Sequence, residues 1–370
     1  MKTVTAFTKN KDIKAAVSEL RKDLDPKQGE LLLFFASSCY NVDELAMEMD
    51  RQFQIHSIGC TTAGELVSGQ MLDESIVAMC LEKDVLEDHH IEIVEDIHET
   101  LVPKIDKAFG AFGEHFGSPV ADFDFQQYVG LLLVDGLSNQ EEMINNLVGN
   151  KSDIVFIGGS AGDDLAFEKT YVFANGKAYS NAAVLVLIKP TKGYDVLKTQ
   201  SFKSTSKKLK VTKLVEGERR IQEFNGKPAT QAYAESLNCA LGEVESRFIQ
   251  NPVGLMINDD EPFVRSPRVT DGTDILFYCG VKEGQNLDIL ESTDIVNETT
   301  RSLVEKSRDT GPFSCLINFN CVLRKLELIE KKQEEAYGNV FSDIPTIGFH
   351  TYGESYIGHM NQTATILLLK

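Results

Sequence analysis

Apolar residues group into short runs along this chain, and the first of these runs is followed by a segment with helical spacing. The first run, residues 31–35, suits a buried strand, and residues 42–53 then carry apolar side chains three and four positions apart. A second strand ends in residues 58–65, and the apolar run 75–81 closes the unit. This order of strand, helix, strand and closing strand predicts a mixed α/β unit.

The same order of elements recurs twice farther along the chain. Asn175-Gly176, the typical pair of a type I′ turn, predicts that the second copy closes with a hairpin. The predicted elements of the second copy are a strand at 128–135, a helix at about 140–148, and strands at 153–163 and 182–188. Those of the third copy are a strand at 314–319, a long charged helix around 324–337, and strands at 347–354 and 363–369. The repeat predicts one α/β scaffold with mixed sheets, used three times.

Each second strand ends in one motif, in which Ile-Gly is followed by three or four residues, a glycine and an acid. The copies are residues 58–65, 157–163 and 347–354. Glycine lets the backbone turn sharply and lets another group approach closely. The acid could accept backbone N–H bonds or meet a polar ligand. Two interpretations are therefore open, namely equivalent tight turns or parts of a binding site.

The chain changes character between the second and third copies. Residues 191–206 are polar and lack long periodicity, which predicts two lobes with domains at 1–195 and 196–370. Pro228 lies in a turn near a predicted helix start. The further predicted elements are a helix at 230–241, strands at 262–270 and 274–281, and a helix at 294–306.

Composition narrows the classes of partner. Of 370 residues, 37 are Lys or Arg and 56 are Asp or Glu, and the net charge of −19 disfavours binding to nucleic acid or an anionic membrane. The seven cysteines form no CxxC pair and no metal-ligand spacing, which indicates a reduced, cytoplasmic protein. The apolar runs are far shorter than the roughly 20 residues of a membrane-spanning helix. We expect no nucleic-acid partner, no membrane insertion and no metal site.

Several motifs, taken together, resemble those of the FIST family. Residues 58–65 resemble the Gly-Cys-Ser/Thr-x-x-Gly-Glu signature of the FIST N-terminal domain, and residues 224–229 resemble the Asp/Asn-Gly-Lys-Pro-Ala start of the FIST C-terminal domain. The pieces that continue the resemblance in order are Val264-Arg265 and residues 281–284, 321–324, 348–354 and 361–363. The resemblance covers the chain from about residue 30 to residue 370.

The resemblance implies a bacterial or archaeal small-ligand sensor in signal transduction. FIST proteins are associated with histidine kinases, diguanylate-cyclase pathways and chemoreceptors, and some members have been proposed to bind small metabolites such as amino acids. These 370 residues include no kinase, receiver or cyclase segment. We therefore expect a stand-alone, non-catalytic sensor that passes its signal to a separate histidine kinase, cyclase or chemoreceptor.

Polar groups that converge at strand ends are where α/β folds usually build sites. The predicted ligand-binding residues are Cys321, Arg324, Tyr352, Glu354, His359 and Glu65. The resemblance places Arg324 after Cys321 at a strand-to-helix junction. There the guanidinium could bind an anionic ligand group or pair with Glu354, and both alternatives are open.

Haem is an alternative ligand, because one branch of the family is a haem-based nitric oxide sensor. The family has a histidine directly before the Asn of its last Asn-x-Thr, whereas this chain has Met360 there and His359 one residue earlier. On a strand, an offset of one residue sends the side chain to the opposite face. The candidate axial ligands are His359, His350 and Met360. The cofactor stays unknown at this point.

A hydrolase is the less favoured alternative. Residues 158–162 fit the G-x-S-x-G motif after an apolar strand, which would make Ser160 the nucleophile. That motif needs a helix directly after the serine, but Asp163-Asp164 and a hairpin pattern follow. The two carboxylates would also oppose an oxyanion. We therefore expect no hydrolase chemistry at Ser160.

Overall fold

A computed structural model describes residues 3–26, 29–257 and 261–370, and these residues form two compact units. The first unit takes the chain up to Thr199, then Thr299–His359 and Ala364–Lys370, and the second takes Gln200–Glu298 and Met360–Thr363. The chain thus leaves the first unit and later returns to it. The sequence predicts two consecutive domains that meet at 195/196. The polar composition of residues 191–206 marks the place where the chain leaves the first unit, but no local pattern marks the place where it returns.

The elements of the first unit fall into three copies of one pattern. The first copy has β1 (Thr5–Thr8), α1 (Ile13–Asp23), β2 (Gly29–Ser37), α2 (Val42–Phe53), β3 (His56–Thr62), β4 (Glu65–Val67), β5 (Gln70–Leu72) and β6 (Ile76–Glu82). The second copy has β7 (Leu86–Glu95), α3 (Leu101–Phe116), β8 (Val129–Val134), α4 (Glu141–Gly149), β9 (Phe156–Ser160), β10 (Val172–Ala174), β11 (Lys177–Tyr179) and β12 (Ala182–Pro190).

The third copy is interrupted by the second unit. It begins with β13 (Tyr194–Gln200). The intervening elements are β14 (Phe202–Val215), β15 (Arg220–Phe224), β16 (Lys227–Pro228), α5 (Ala229–Leu237), α6 (Val244–Arg247), β17 (Val253–Ile257), β18 (Glu261–Arg265), β19 (Pro267–Asp271), β20 (Asp274–Phe277) and β21 (Asn286–Ser292). The third copy then continues with α7 (Ile295–Thr310), β22 (Cys315–Cys321), α8 (Val322–Glu330), α9 (Glu334–Asn339), β23 (Thr346–Thr351), β24 (Glu354–Tyr356), β25 (His359–Met360) and β26 (Thr363–Leu369).

The three copies build six-stranded sheets with one topology in the described part of the chain. The strand orders are β1-β6-β2-β3-β10-β11, β7-β12-β8-β9-β24-β25 and β13-β26-β22-β23-β4-β5. In each sheet the two central strands are parallel and the closing strand pairs antiparallel to the first of them. This mixed α/β arrangement confirms the predicted fold class and repeat.

The last two strands of each sheet come from a different copy. The first copy supplies β4 and β5 to the third sheet, the second supplies β10 and β11 to the first sheet, and the third supplies β24 and β25 to the second sheet. Each copy therefore completes the sheet of another, in a closed cycle. This exchange explains why the three copies form one compact unit.

One apolar core is shared by the three sheets, and helices cover their other faces. Phe35, Leu133 and Phe319 occupy equivalent positions and all belong to the shared core. Because side chains alternate between faces along a strand, the residues before and after each of them face the helices. In the first two copies that helix-facing layer is largely apolar and includes Phe34 and Leu132.

The first glycine of each repeated motif is required by close packing between parallel strands. A Cβ atom at Gly59, Gly158 or Gly348 would lie 1.8, 1.8 or 2.1 Å from a carbonyl oxygen of the neighbouring parallel strand. No side chain fits at such a distance. The Ile-Gly part of the motif is thus a structural feature of all three copies.

The second unit has its own sheet, in the order β18-β17-β21-β14-β15-β20-β19, with β16 beside β15. Two predicted elements are each divided in the structure. The strand predicted at 262–270 is β18 and β19, and the charged helix predicted around 324–337 is α8 and α9, with Lys332 at a positive φ of 54° between them. Among the described helices, none combines the length and apolar character needed to cross a membrane.

Candidate functional site

The helix-facing layer of the third sheet is polar where the equivalent layers of the other sheets are largely apolar. The equivalent residues, in the order of first, second and third copy, are Phe34, Leu132 and Asn318 at one position, Ala36, Val134 and Asn320 at the next, and Thr61, Ser160 and His350 on the neighbouring strand. Since the scaffold is the same in all three copies, the two asparagines and the histidine are a property of the third copy and not of the fold.

Asn320 is the centre of a buried hydrogen-bond network. Its Nδ2 lies 2.9 Å from Nδ1 of His350, and its Oδ1 accepts from Nε of Arg324 and from the hydroxyl of Tyr337, both at 2.9 Å. Arg324 also donates through Nη2 to Oγ1 of Thr299 at 3.0 Å. All five residues are buried. Together with Asn318 they are called the Asn320 cluster below.

The network fixes the protonation of His350. Because Oδ1 of Asn320 accepts two donors, the amide directs its Nδ2 donor at Nδ1 of His350, which must therefore be an acceptor. The proton of the neutral ring is then on Nε2. Burial, followed by the charges of Lys325 and Arg324, lowers the pKa of His350 well below its ordinary value, so the ring is neutral.

Several polar atoms of the cluster have no hydrogen-bond partner among the described residues. They are Nη1 of Arg324, Nε2 of His350 and both amide atoms of Asn318. Each such buried group costs about 1–3 kcal/mol when left unsatisfied. Native proteins contain few of them. Their concentration in one layer makes the Asn320 cluster the candidate site.

The strand-to-helix junction predicted at Cys321 and Arg324 is present. Cys321 ends β22 and is the N-cap of α8, which begins at Val322 without an intervening loop. Arg324 therefore lies in the first turn of α8, beside the strand that carries Asn320. Its guanidinium carbon also lies 5.8 Å from the ring centroid of Tyr337, within the range of a cation–π contact.

Glu65 lies on the other side of the third sheet, towards the shared core. It is opposite Phe349 across the β4–β23 pair, and Phe349 is a core residue. Its carboxyl accepts from the hydroxyl of Thr62. It also accepts from Ser75, at 3.2 Å from the amide nitrogen and 2.6 Å from the hydroxyl. Burial raises the pKa of Glu65 to about 7. The carboxyl of Glu65 is therefore occupied by hydrogen bonds to neighbouring residues of the first copy.

Cys321 and Glu354 also face the shared core. Cys321 is two residues from Phe319 on β22, and Glu354 is opposite Gly159, which pairs with the core residue Leu133. The side-chain hydrogen bonds of Arg324 go to Asn320 and Thr299 instead of Glu354. The alternative in which Arg324 pairs with Glu354 is therefore not realised, because the two side chains start from opposite faces.

Tyr352 anchors the loop that follows β9. Its hydroxyl donates to Oδ1 of Asp163 at 2.5 Å and accepts from the amides of Asp163 and Leu165, and its ring stacks on Phe167 with centroids 4.9 Å apart. Burial and the Asp163 carboxylate raise the pKa of Tyr352. The hydroxyl of Tyr352 is therefore used to hold the loop that contains Asp163 and Leu165.

Asp163, the acid of the second copy of the repeated motif, is not equivalent to Glu65 and Glu354. Glu65 and Glu354 begin hairpin strands that pair with β23 and β9, and the corresponding strand of the second copy begins at Val172. Asp163 lies in the preceding loop, where its carboxylate accepts from the amides of residues 167–169. The acids are therefore not three parts of one site.

The three candidate haem ligands are all buried. His359 is buried with its ring against Gly353, where a Cβ atom would lie 2.0 Å from Cε1 of the imidazole, and Met360 is buried in the second unit. The ring of His350 is buried and neutral, its Nδ1 accepts from Asn320, and its Nε2 has no hydrogen-bond partner among the described residues. The buried polar side chains beside His350 do not suit the large apolar faces of a porphyrin.

Ser160 has the environment of a structural residue. It is fully buried at the end of β9, and the chain continues through a loop to β10 instead of entering a helix. Its Oγ has no hydrogen-bond partner among the described residues, so no base of that part of the chain activates it. A groove of about 630 Å³ at the end of α3 contains none of the predicted site residues.

Sequence reasoning found Arg324 but missed the residues around it. Asn318, Asn320, Tyr337 and Thr299 were not among the predicted site residues. The signal was present in Cys-Leu-Ile-Asn-Phe-Asn-Cys, residues 315–321, where two asparagines alternate within an otherwise apolar strand. Of the charged residues on the helix predicted around 324–337, Lys325 and Glu327 are buried as well as Arg324.

The architecture is that of an internally repeated α/β protein in which one of three like layers carries a buried polar site. Sequence models match two consecutive parts of the chain, the FIST N domain at residues 30–227 and the FIST C domain at residues 229–356. The chain belongs to the FIST family, whose domains are associated with signal transduction and small-ligand sensing.

One curated relative is an uncharacterized protein of Methanocaldococcus jannaschii. The two sequences are 25% identical over 303 residues, which is 76% of this chain and 58% of the relative. The chain thus spans somewhat more than half the length of the curated relative that it matches.

Proposed function

We propose that this protein is a cytoplasmic, non-catalytic sensor that binds a small molecule in the Asn320 cluster. Its signal passes to a separate protein such as a histidine kinase, a cyclase or a chemoreceptor. The observation that carries the proposal is the contrast between Asn318, Asn320 and His350 in the third copy and the more apolar layers at the same positions of the other two.

The position of the cluster supports a signalling role. Arg324 and Tyr337 belong to α8 and α9, and Asn320 and His350 belong to the sheet beneath them. A ligand held between these elements can shift the position of the helices, provided that it binds two arrangements with different affinity. A partner protein that contacts the helices would then sense the ligand.

The non-catalytic part of the proposal is supported by the protonation and partners of the candidate groups. His350 already directs its Nδ1 at Asn320, Tyr352 is engaged by Asp163, and Ser160 has no neighbouring base in the described part of the chain. None of these forms the pair of nucleophile and base that acyl transfer needs.

Asn318→Leu provides the sharpest test, because leucine is the residue at this position of the second copy. The amide of Asn318 makes no hydrogen bond to the described residues, so the variant loses none of the bonds seen there and should be at least as stable as the wild type. We expect Asn318→Leu to carry less of the ligand that is extracted from purified wild-type protein and identified by mass spectrometry.

Asn339→Ala is the matched control, because Asn339 is an exposed asparagine of α9. It should retain the same ligand as the wild type. Full retention of the ligand by Asn318→Leu would refute the assignment of the site.

A further inference from the structure

Arg324 carries a charge that the described protein does not neutralise. Its neighbours on α8 have partners, since Lys325 pairs with Asp73 and Glu327 pairs with Lys331. The hydrogen bonds of Arg324 end on the neutral oxygens of Asn320 and Thr299, and its Nη1 has no acceptor among the described residues. A buried charge without a counter-ion is costly. The cluster therefore requires an anionic partner.

The unpartnered groups next to this charge are mainly donors. Arg324 offers the two N–H bonds of Nη1, and His350 offers the proton on Nε2, as its bond with Asn320 requires. Both side chains bond to the same amide, so their free donors start from one place in the layer. A pair of planar acceptor oxygens is the group that matches a guanidinium and a neighbouring N–H donor.

We infer that the Asn320 cluster binds a small carboxylate, with the carboxylate on Nη1 of Arg324 and Nε2 of His350. The inference rests on the proposed function and names its ligand class. Asn318 is two residues before Asn320 on the same face of β22, about 7 Å away by strand geometry. Its amide, with one donor and one acceptor group free, bonds a second polar group of the same molecule, such as a hydroxyl or an amine.

Charge balance distinguishes a carboxylate from a phosphate. One uncompensated guanidinium matches one negative charge, whereas a phosphate monoester carries about −1.5 to −2 at neutral pH. The second positive charge of the region, on Lys325, already has Asp73 and the carbonyl of Ala63 as partners. A cation is excluded from this layer by Arg324 itself.

The test compares anionic probes with neutral molecules of the same shape. Lactate, propionate, lactamide, propionamide and inorganic phosphate are titrated by calorimetry into wild-type protein from which bound metabolites have been removed by dialysis. We expect lactate and propionate to bind at least about tenfold more tightly than their amides and than phosphate. Lactate should bind more tightly than propionate, because its hydroxyl reaches Asn318. In Asn318→Leu, lactate and propionate should bind equally, and both should still bind more tightly than their amides.

Two variants of the charged group complete the test. Arg324→Gln should bind acid and amide equally. Because Arg324→Gln alters a buried residue, Asn320→Asp is the second variant, in which an aspartate placed on Nε of Arg324 supplies the missing anion. We expect Asn320→Asp to fold, to unfold at a higher temperature than Arg324→Gln and to lose carboxylate binding. Arg308→Gln, on an exposed side chain of α7, makes the same charge change as Arg324→Gln and should bind like the wild type.

Amides that bind as tightly as acids, phosphate that binds more tightly than lactate, or no binding of either carboxylate would each overturn the inference. The proposed function is judged separately. A neutral or cationic metabolite that co-purifies with the wild type and is lost from Asn318→Leu would sustain the sensor site while excluding a carboxylate. The absence of any co-purified metabolite that depends on Asn318 would count against the site itself.

Discussion

Asn320 and His350 lie side by side on the parallel strands β22 and β23, joined by a hydrogen bond of 2.9 Å between the amide nitrogen and Nδ1. At this pair of positions the first two copies have Ala36 with Thr61 and Val134 with Ser160, which cannot form such a bond between side chains. The third copy has therefore exchanged a packing layer for a hydrogen-bond network without changing the fold around it.

Asn320→Ala should destabilise the protein by about 3 kcal/mol or more. The substitution leaves Nε of Arg324, the hydroxyl of Tyr337 and Nδ1 of His350 without their shared partner in a buried layer. Urea unfolding followed by circular dichroism measures the loss. Asn339→Ala, on the surface of α9, should change the free energy of unfolding by less than about 0.5 kcal/mol. Equal effects of the two variants would show that Asn320 does not organise the layer.

Glu65 should make stability depend on pH in the direction opposite to that of an ordinary surface acid. Its pKa is about 7 in the native state and 4.5 in the unfolded chain, so between these values the native state holds a proton that the unfolded chain has lost. Stability then falls as the pH rises from about 4.5 to 7. The order of magnitude is about 3 kcal/mol, from 1.36 kcal/mol per pKa unit.

The comparison of wild type with Glu65→Gln isolates this effect, because other titrating groups cancel. The free energy of unfolding of the wild type, minus that of Glu65→Gln, should decrease between pH 5 and pH 8. A difference that is constant, or that grows with pH, would mean that Glu65 is ionised in the native protein.

The sequence predicted most of the scaffold because the scaffold depends on short-range patterns. The apolar runs, the helical spacing of 42–53 and the Ile-Gly motif all follow from which residues face a core. The exchange of β4–β5, β10–β11 and β24–β25 between copies could not be predicted, because the strands are three residues long or shorter and their partners are distant in sequence. The exchanged strands also show which motif acids are equivalent, since Glu65 and Glu354 each begin such a strand and Asp163 does not.

The site was predicted only in part, for a related reason. A polar residue at a strand end looks like a ligand contact whichever face it occupies, so Glu65, Glu354 and Arg324 were grouped together. The register of β22 and β23 separates them, since Arg324 joins Asn320 on the helix side while the two acids face the shared core. Strand register depends on tertiary pairing, which periodicity alone does not reveal.

The repeated glycines should be intolerant of a methyl group in all three copies. Gly59→Ala, Gly158→Ala and Gly348→Ala each place Cβ about 2 Å from a carbonyl oxygen, and each should cost about 3 kcal/mol or prevent folding. Gly110→Ala, in the exposed middle of α3 with open space around its Cβ, should instead stabilise by about 0.5–1 kcal/mol. A Gly348→Ala variant as stable as the wild type would contradict the packing argument for the third copy.

Ser160→Ala should leave any esterase or peptidase signal of the preparation unchanged. The hydroxyl is buried without a partner in the described part of the chain, so its removal should also be neutral or stabilise by about 1 kcal/mol. Mass spectrometry after treatment with a fluorophosphonate checks the reactivity directly. Stoichiometric labelling of Ser160 would overturn the non-catalytic proposal.

The haem alternative predicts a Soret band in protein expressed with ample haem, and we expect the purified protein to lack one. Nε2 of His350 carries the proton of the neutral ring, so it could ligate iron only after that proton moved to Nδ1, which already accepts from the amide of Asn320. His359 packs its ring against Gly353, and Met360 belongs to the second unit. Haem binding would therefore require these side chains to leave their present packing. His350→Ala, His359→Ala and Met360→Ala identify the ligand if a band is seen. A band that His350→Ala removes would mean that the polar layer opens for a porphyrin, and the small carboxylate would then have to be abandoned as its occupant.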